Sequence, residues 1–303
     1  MSSPAPRIGI VVTDAYSDED PDHDTPLLLP ALRARGAAAE AVIWHDDAVD
    51  LAAFDLLAIR SPWDYPERPA EFRAWLDRAE AASRVVNAPA TMRWNLDKRY
   101  LADLEGAGIR VVPTAYAETS DAARAALAAH PRVVVKPTVS AGARDTGLFD
   151  SSDPRALALA EGIIAGGGTA MIQPEVPELS RGWEKALYLI DGEFTHAISK
   201  GALLAVGGGL IGGVYEEHPE QVPAHDDEIS FASDVVRAVR TVTGGRLPLY
   251  ARVDTVRSRT YGLALLEVEL VEPALNLHVA PYATDAVVEA LLRAARDASG
   301  TNA

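Results

Sequence analysis

The sequence predicts an α/β protein of three domains: an N-terminal parallel α/β domain over residues 1–90, a small α+β domain over 91–178, and a C-terminal α+β domain over 179–303. Three observations carry that expectation. Strand-like apolar runs alternate with helix-period segments through the first 90 residues, as βαβ units require. The 303 residues, 48% of them hydrophobic, exceed the usual size of one domain and can fill more than one core. The stretch Tyr250–Glu272, YARVDTVRSRTYGLALLEVELVE, alternates with period two on both sides of the polar turn SRTYG and reads as an antiparallel strand pair.

Taken in order, Arg7–Val12 is a buried-type strand, Pro26–Gly36 a helix closed by Gly36, and Glu40–Trp44 a second strand. Phe54–Arg60 gives a third strand that runs into SPWDY, and Pro69–Ala82 a second helix before Arg84–Asn87. Ligands of open parallel sheets sit beyond the carboxyl ends of the strands, which is where Ser61–Tyr65 falls; capping of the sheet by Trp63 and Tyr65 is the alternative. No GxGxxG follows the first strand, so a dinucleotide site of the Rossmann type is not expected. Asp18–Asp24, DEDPDHD, reads as a solvated loop.

Asn87–Tyr100 enters a helix ending near Gly106 or Gly108 and carrying Lys98. After a helix at Asp121–Ala129, the strand Arg132–Pro137 ends in Lys136 and is followed by the small-residue loop Ser140–Gly147, SAGARDTG, whose backbone N–H groups suit phosphate. A helix at Pro154–Ile164 precedes Thr169–Glu178, a strand leaving into a proline-stiffened linker. Trp183–Lys200 is a hairpin turning at Asp191-Gly192. Gly207–Gly213 interrupts the sheet, and Asp226–Thr243 is an amphipathic helix.

Composition excludes several classes. With no cysteine there are no disulfides, thiolate ligands or Cys nucleophile. A formal charge of −16 argues against nucleic acid or an anionic membrane as partner. No run of about 18 apolar residues and no signal-peptide pattern occur, so a cytoplasmic location is expected. A homo-oligomer is compatible with the sequence, which does not fix stoichiometry.

Alternation puts Arg252 and Asp254 on one face of their strand and Glu267 and Glu269 on one face of the next. Three carboxylates in apolar strands need compensation, which divalent cations bridged to phosphate would supply; a solvated hairpin face, with Arg and acids paired across the ladder, is the alternative.

The order of these pieces, with VVKP and its small-residue loop, IQPEVP, WEKALYLIDGEF, RVD and EVE, resembles the ATP-grasp superfamily over essentially the whole chain. SPWDY, RWNLDKRYL, VVKPTVSAGARDT, IDGEFTHAISK and LLEVELVEP look like its cycloserine-synthetase-like ligases, which cyclise O-ureidoserine. The resemblance implies an ATP-grasp fold whose central domain acts as a lid, with ATP and Mg²⁺ bound between it and the C-terminal domain. Lys98 and Lys136 would contact phosphates beside Ser140 of the loop. Gln173, Glu175 and Val176 would line adenine, Glu184 would meet the ribose, and Lys200 would be a second phosphate or substrate contact. Arg252 would stabilise the transferring phosphoryl group, and Asp254, Glu267 and Glu269 would hold magnesium.

The chain also departs from the pattern. Glu269 stands where the superfamily often has Asn, Trp183-Glu184-Lys185-Ala186 replaces the GDKR of glutathione-synthetase relatives, and VGGGLIGG replaces an arginine-bearing loop. The implied activity is that of an ATP-dependent carbon–nitrogen ligase acting on a small carboxylate or amino-acid-like substrate. It would form an acyl phosphate, joined to an amine-type nucleophile of the same or of a second molecule, under a lid at Ser140–Gly147. The alternatives are a nucleotide-binding sensor without catalysis and a small-molecule kinase on the same fold.

Overall fold

The chain is described by a computed structural model over residues 4–16, 21–140, 144–201, 204–207 and 219–299. It begins with β1 (Arg7–Val12), α1 (Thr25–Ala34), β2 (Ala38–Ile43), β3 (Leu56–Ser61), α2 (Pro69–Ala82) and β4 (Val85–Val86). These strands form one parallel sheet in the order β2-β1-β3-β4. β1 and β3 are buried almost throughout, because helices cover both faces of a parallel sheet. Phe72, Trp75 and Leu76 of α2 fill one side with Leu57 and Ile59. Leu28 and Leu32 of α1 fill the other, with Ile8 and Ile10.

Two short helices follow, α3 (Pro89–Asn95) and α4 (Tyr100–Gly106). The continuous helix expected here is broken at residues 96–99, so Lys98 lies in the break and not on a helix. The cause is tertiary: the Lys98 amide donates to the Thr138 carbonyl at 2.8 Å, and the Lys98 carbonyl accepts the Tyr116 hydroxyl at 3.2 Å. The Lys98 amide is thus lost to the helix, while its carbonyl still accepts the Leu101 amide (3.1 Å) in the turn that opens α4.

A second sheet, antiparallel in the order β5-β8-β6-β7, contains β5 (Ala115–Ala117), β6 (Arg132–Pro137), β7 (Gly147–Asp150) and β8 (Ala170–Pro174). α5 (Ser120–Ala128) and α6 (Pro154–Ala165) cover it, sharing a core that includes Leu127, Val133, Val135 and Ile172.

The third sheet, also antiparallel, has the order β11-β10-β9-β12-β13, from β9 (Glu184–Ile190), β10 (Glu193–Lys200), β11 (Glu220–Gln221), β12 (Tyr250–Ser258) and β13 (Gly262–Glu269). β9 and β10 meet at Asp191 and Gly192, both at positive φ (54° and 83°), the type I′ geometry that an Asp-Gly pair favours. α7 (Asp226–Thr243) packs its apolar stripe on one face, joined there by Tyr100, Leu101 and Leu104 of α4. α8 (Thr284–Ser299) returns to α1 and packs between the first and third sheets, with Tyr188, Ile190 and Tyr250 in the same core as Ile8 and Leu32. Asn87 joins those two sheets: its amide donates to the carbonyls of Tyr250 (2.9 Å) and Leu270 (2.8 Å), and its oxygen accepts from Leu249. No helix among the described residues is long and apolar enough to cross a membrane.

Candidate active site

The antiparallel register places Arg252 opposite Glu269 and Asp254 opposite Glu267, then shifts so that Thr255 faces Leu265. Leu266 is the extra residue of a bulge, which confines the in-register charged pairs to the end of the ladder nearest Glu272. The charges do pair across the ladder, but the face is not solvated: Asp254 is only 1% exposed and Arg252 6%. The Arg252 guanidinium donates to both oxygens of Asp254 (Nε–Oδ1 3.0 Å, Nη2–Oδ2 2.9 Å) and to Glu269. Lys200, at the end of β10, reaches Asp254 at 2.9 Å and Glu184 at 3.2 Å. From the break between α3 and α4, Lys98 reaches Glu267 at 3.0 Å and the Ser140 carbonyl at 2.9 Å.

These contacts set the protonation states. Burial works against the charge on Asp254, but Arg252 and Lys200 outweigh it and hold the carboxyl below its ordinary range. Glu267 is likewise held down, by Lys98 and Lys136 against burial. For Glu269 burial wins over Arg252, and with the charges of Glu267 and Asp254 it pushes the carboxyl up to about 8. Burial depresses Lys136, at the end of β6.

One cavity of about 680 Å³ collects most of the residues that the sequence singles out. Lys98, Lys136, Ser140, Lys200, Arg252, Glu267 and Glu269 line it, as do Gln173, Glu175, Val176 and Glu184. Asp254 is absent from the lining and stands behind Arg252 and Lys200. In the β8 segment the Gln173 side chain is tied to Thr114 (2.9 Å) and the Glu175 amide to the Arg132 carbonyl (3.0 Å), so that amide has no free donor to offer a ligand. Of the small-residue loop, residues 141–143 lie outside the described residues; its far side lines the cavity through Arg144, which pairs with Glu67 at 3.0 Å. Residues 208–213 of the glycine-rich stretch, and 18–20 of the acidic loop, also lie outside them.

The chain beyond the carboxyl end of β3 also lines the cavity, through Trp63, Asp64 and Tyr65, so the segment Ser61–Tyr65 does reach it; Tyr16 and Glu272 line it as well. Glu272 carries no role in the sequence reading although it lies within Tyr250–Glu272. Its one signal was a third acid three residues after Glu269, outside the strand alternation.

The donor set can be tested against a hard divalent cation. Among the described residues no three acidic or histidine side chains converge on one point as they stand, because Arg252 lies between Asp254 and Glu269. The chemistry nevertheless fits: Glu267 and Glu269 offer carboxylate oxygens, the ligands a hard divalent cation takes, in the cavity wall beside Lys98 and Lys136.

Residues 8–87 match the family described as D-cycloserine synthetase DcsG, N-terminal domain. The cycloserine biosynthesis protein DcsG of Streptomyces lavendulae is 38% identical over 277 residues, 88% of this chain and 92% of that protein. The crystal structure of D-cycloserine synthetase DcsG superimposes with a TM-score of 0.88 at 32% identity, covering 95% of this chain and 99% of that one. The ATP-grasp ligase PsnB, complexed with a phosphomimetic variant of its minimal precursor, Mg and ADP, superimposes with a TM-score of 0.60 at 18% identity, over 95% and 99% of the two chains. At that identity the likeness is one of fold.

Proposed function

The chain belongs to the D-cycloserine synthetase family of ATP-grasp ligases, and from that premise we propose that it uses ATP and Mg²⁺ to close an amino-acid-derived carboxylate onto a nitrogen of the same molecule. The observation that supports this most is the convergence, in one cavity, of Lys98 and Lys136 with Glu267 and Glu269 and with Trp63 and Tyr65 from beyond β3. Lysines suit phosphate oxygens, and the carboxylates suit a cation that bridges them.

In this reading a carboxylate oxygen of the substrate attacks the γ-phosphorus, the bond to the β-phosphate oxygen breaks and ADP leaves. The nitrogen lone pair then attacks the acyl phosphate carbonyl, phosphate departs and the nitrogen gives up its proton. Phosphoryl transfer asks for positioning and charge neutralisation, not for a covalent side chain. Lys136 and Lys98 bind the phosphates with Ser140, and Arg252, held in orientation by Asp254, faces the transferring group. Lys200 keeps Asp254 charged beside it and is a further contact for phosphate or substrate. Glu267 and Glu269 would hold magnesium, with Asp254 supporting them from behind; the ion when bound neutralises phosphate charge. Gln173, Glu175 and Val176 line the adenine end, and Glu184 the ribose. The loop Ser140–Gly147 would keep water from the acyl phosphate. The domain boundaries in this reading fall after residues 90 and 178.

The test is ADP release from the full chain with O-ureidoserine of either configuration, with and without hydroxylamine. A ligase releases ADP with substrate and yields hydroxamate at the expense of cyclised product. ADP release without hydroxamate or cyclised product would indicate a kinase, and no release with any amino-acid-derived carboxylate would overturn the reading.

A further inference from the structure

The cavity holds one carboxylate more than the phosphate chemistry uses. Glu267 and Glu269 each pair with a cation of the protein, Lys98 and Arg252. Glu272 forms no ion pair among the described residues, yet it is half-buried and faces the same cavity. Burial holds its pKa above the ordinary range, against the opposing pull of the neighbouring Tyr65 hydroxyl, which lines the same cavity. Lys98 and Arg252 act on it only from a distance, having Glu267 and Asp254 as their own partners, and a half-buried carboxylate with no ion pair of its own favours a ligand that brings one.

The backbone around it is fixed on both sides. The Trp63 indole donates to the Glu272 carbonyl at 3.1 Å, and the buried Arg60 donates to the Pro273 carbonyl. Asp24, also buried, accepts the amides of Leu275 and Leu277. The side chain is thus presented to the cavity by a segment with little freedom to move, the preorganisation a specificity contact needs. Beside it, Tyr16 and Trp63 meet edge to face at 5.8 Å and line the same cavity. A carboxylate with aromatic rings around it is the chemistry that takes an ammonium group.

We propose that Glu272, with Tyr65, Trp63 and Tyr16, is the subsite for a primary ammonium of the substrate, the α-ammonium of the amino acid whose carboxylate receives the phosphoryl group. This rests on the ligase reading above and names the part of the substrate that the reading leaves open. The spacing suits it. Three residues of chain from Glu269 to Glu272 span at most about 11 Å, so carboxylate and ammonium of one small molecule reach both ends of that segment at once. The acids then divide the work: Glu267 and Glu269 serve the phosphate side, and Glu272 selects amino acids over simple carboxylic acids.

The test compares O-ureidoserine with its des-amino analogue, in which hydrogen replaces the α-amino group, at saturating ATP. Wild type should prefer the amino compound in kcat/KM by about 30-fold or more, the worth of a charge-assisted contact. Glu272→Gln should lose that preference through the KM of the amino compound, while the des-amino compound and the KM values for ATP and magnesium stay at wild-type levels. Tyr65→Phe, which keeps the ring and removes only the hydroxyl, should move the preference the same way by about fivefold, and it carries the test should Glu272→Gln not fold. An active wild type whose preference survives both variants overturns the inference alone, and so does a Glu272→Gln that raises the KM for ATP or magnesium. No ADP from wild type with either compound overturns the ligase reading and this inference with it.

Discussion

Lys98 and Lys136 lie on the same side of the cavity and would meet the same phosphates, yet the fold treats them in opposite ways. Lys98 is buried, ion-paired with Glu267 and hydrogen-bonded to the Ser140 carbonyl, and although burial lowers its pKa, Glu267 with Glu269 and Glu272 raises it overall. Lys136 has no ion pair among the described residues, and burial depresses it. Glu272 is its acidic counterpart, while Glu267, Glu269 and Asp254 resemble Lys98 in being partnered. The difference separates two tasks. A charge with a partner inside the protein is held in place, and its pair must open or be shared when a ligand arrives. A charge without one is a standing demand for a ligand of opposite sign.

The largest effect should come from breaking a pair. Glu267→Gln leaves Lys98 without its counter-charge and removes a carboxylate from the proposed magnesium set, so turnover should fall on the order of a thousandfold. Circular dichroism should show the fold retained. ADP release near the wild-type rate would detach Glu267 from catalysis.

Next in size is the contrast between Lys136 and Arg252. Lys136→Ala removes a contact made already to bound ATP, so calorimetry should show affinity for ATP weakened about 30-fold. Arg252→Lys keeps a cation for Asp254 but loses the fork that also reaches Glu269, so its deficit should fall mainly on kcat. Equal losses of affinity in the two variants would merge the roles assigned to them.

A smaller effect is expected at the loop. Arg144 pairs with Glu67 at 3.0 Å, both of them exposed, and a single exposed pair contributes little to stability. Arg144→Ala should therefore leave the fold intact while raising the fraction of ATP hydrolysed without product by about two- to fivefold, the loss expected from weakening one exposed contact. The ratio of ADP to product checks this, and an unchanged ratio would remove the contact from any closing of the loop.

How much of this could be read from the chain follows the same division between local and tertiary causes. The hairpin charges were legible, because alternation alone assigns faces, and the helices Pro69–Ala82 and Asp226–Thr243 lie where their periodicity puts them. The break at Lys98 was not. Residues Asn95–Arg99 contain no Gly or Pro, and the contact that opens the helix comes from Thr138, about 40 residues on and just past the end of β6. Nor could the sequence show that Asp254 is hidden behind Arg252 and Lys200, since that depends on which neighbour strand a β-pair packs beside. Glu272 is illegible for a related reason: its meaning lies in having no ion pair among the described residues, and an absent partner leaves no mark on a sequence.

His196 sharpens the comparison from outside the cavity, as a titratable group whose needs the protein meets entirely. It is buried, stacked on Tyr188 with ring centroids 4.1 Å apart, and its Nε2 lies 2.8 Å from the Leu275 carbonyl. That acceptor fixes the proton on Nε2 and leaves Nδ1, 2.9 Å from the Thr195 hydroxyl, without one. Burial lowers its pKa from 6.5 to about 4, against the opposing pull of the Leu275 carbonyl. Between those values the unfolded chain binds the proton and the folded one does not. The contribution is therefore complete above pH 6.5 and is lost as pH falls from there toward 4, on the order of 2–3 kcal/mol in all. Urea unfolding of wild type and His196→Gln at pH 7 and pH 5 isolates it: the wild type should lose more stability than the variant over that interval, while both bind ATP with equal affinity at pH 7. Equal losses would mean that His196 takes up its proton in the folded state, and that the stack on Tyr188 does not hold it neutral.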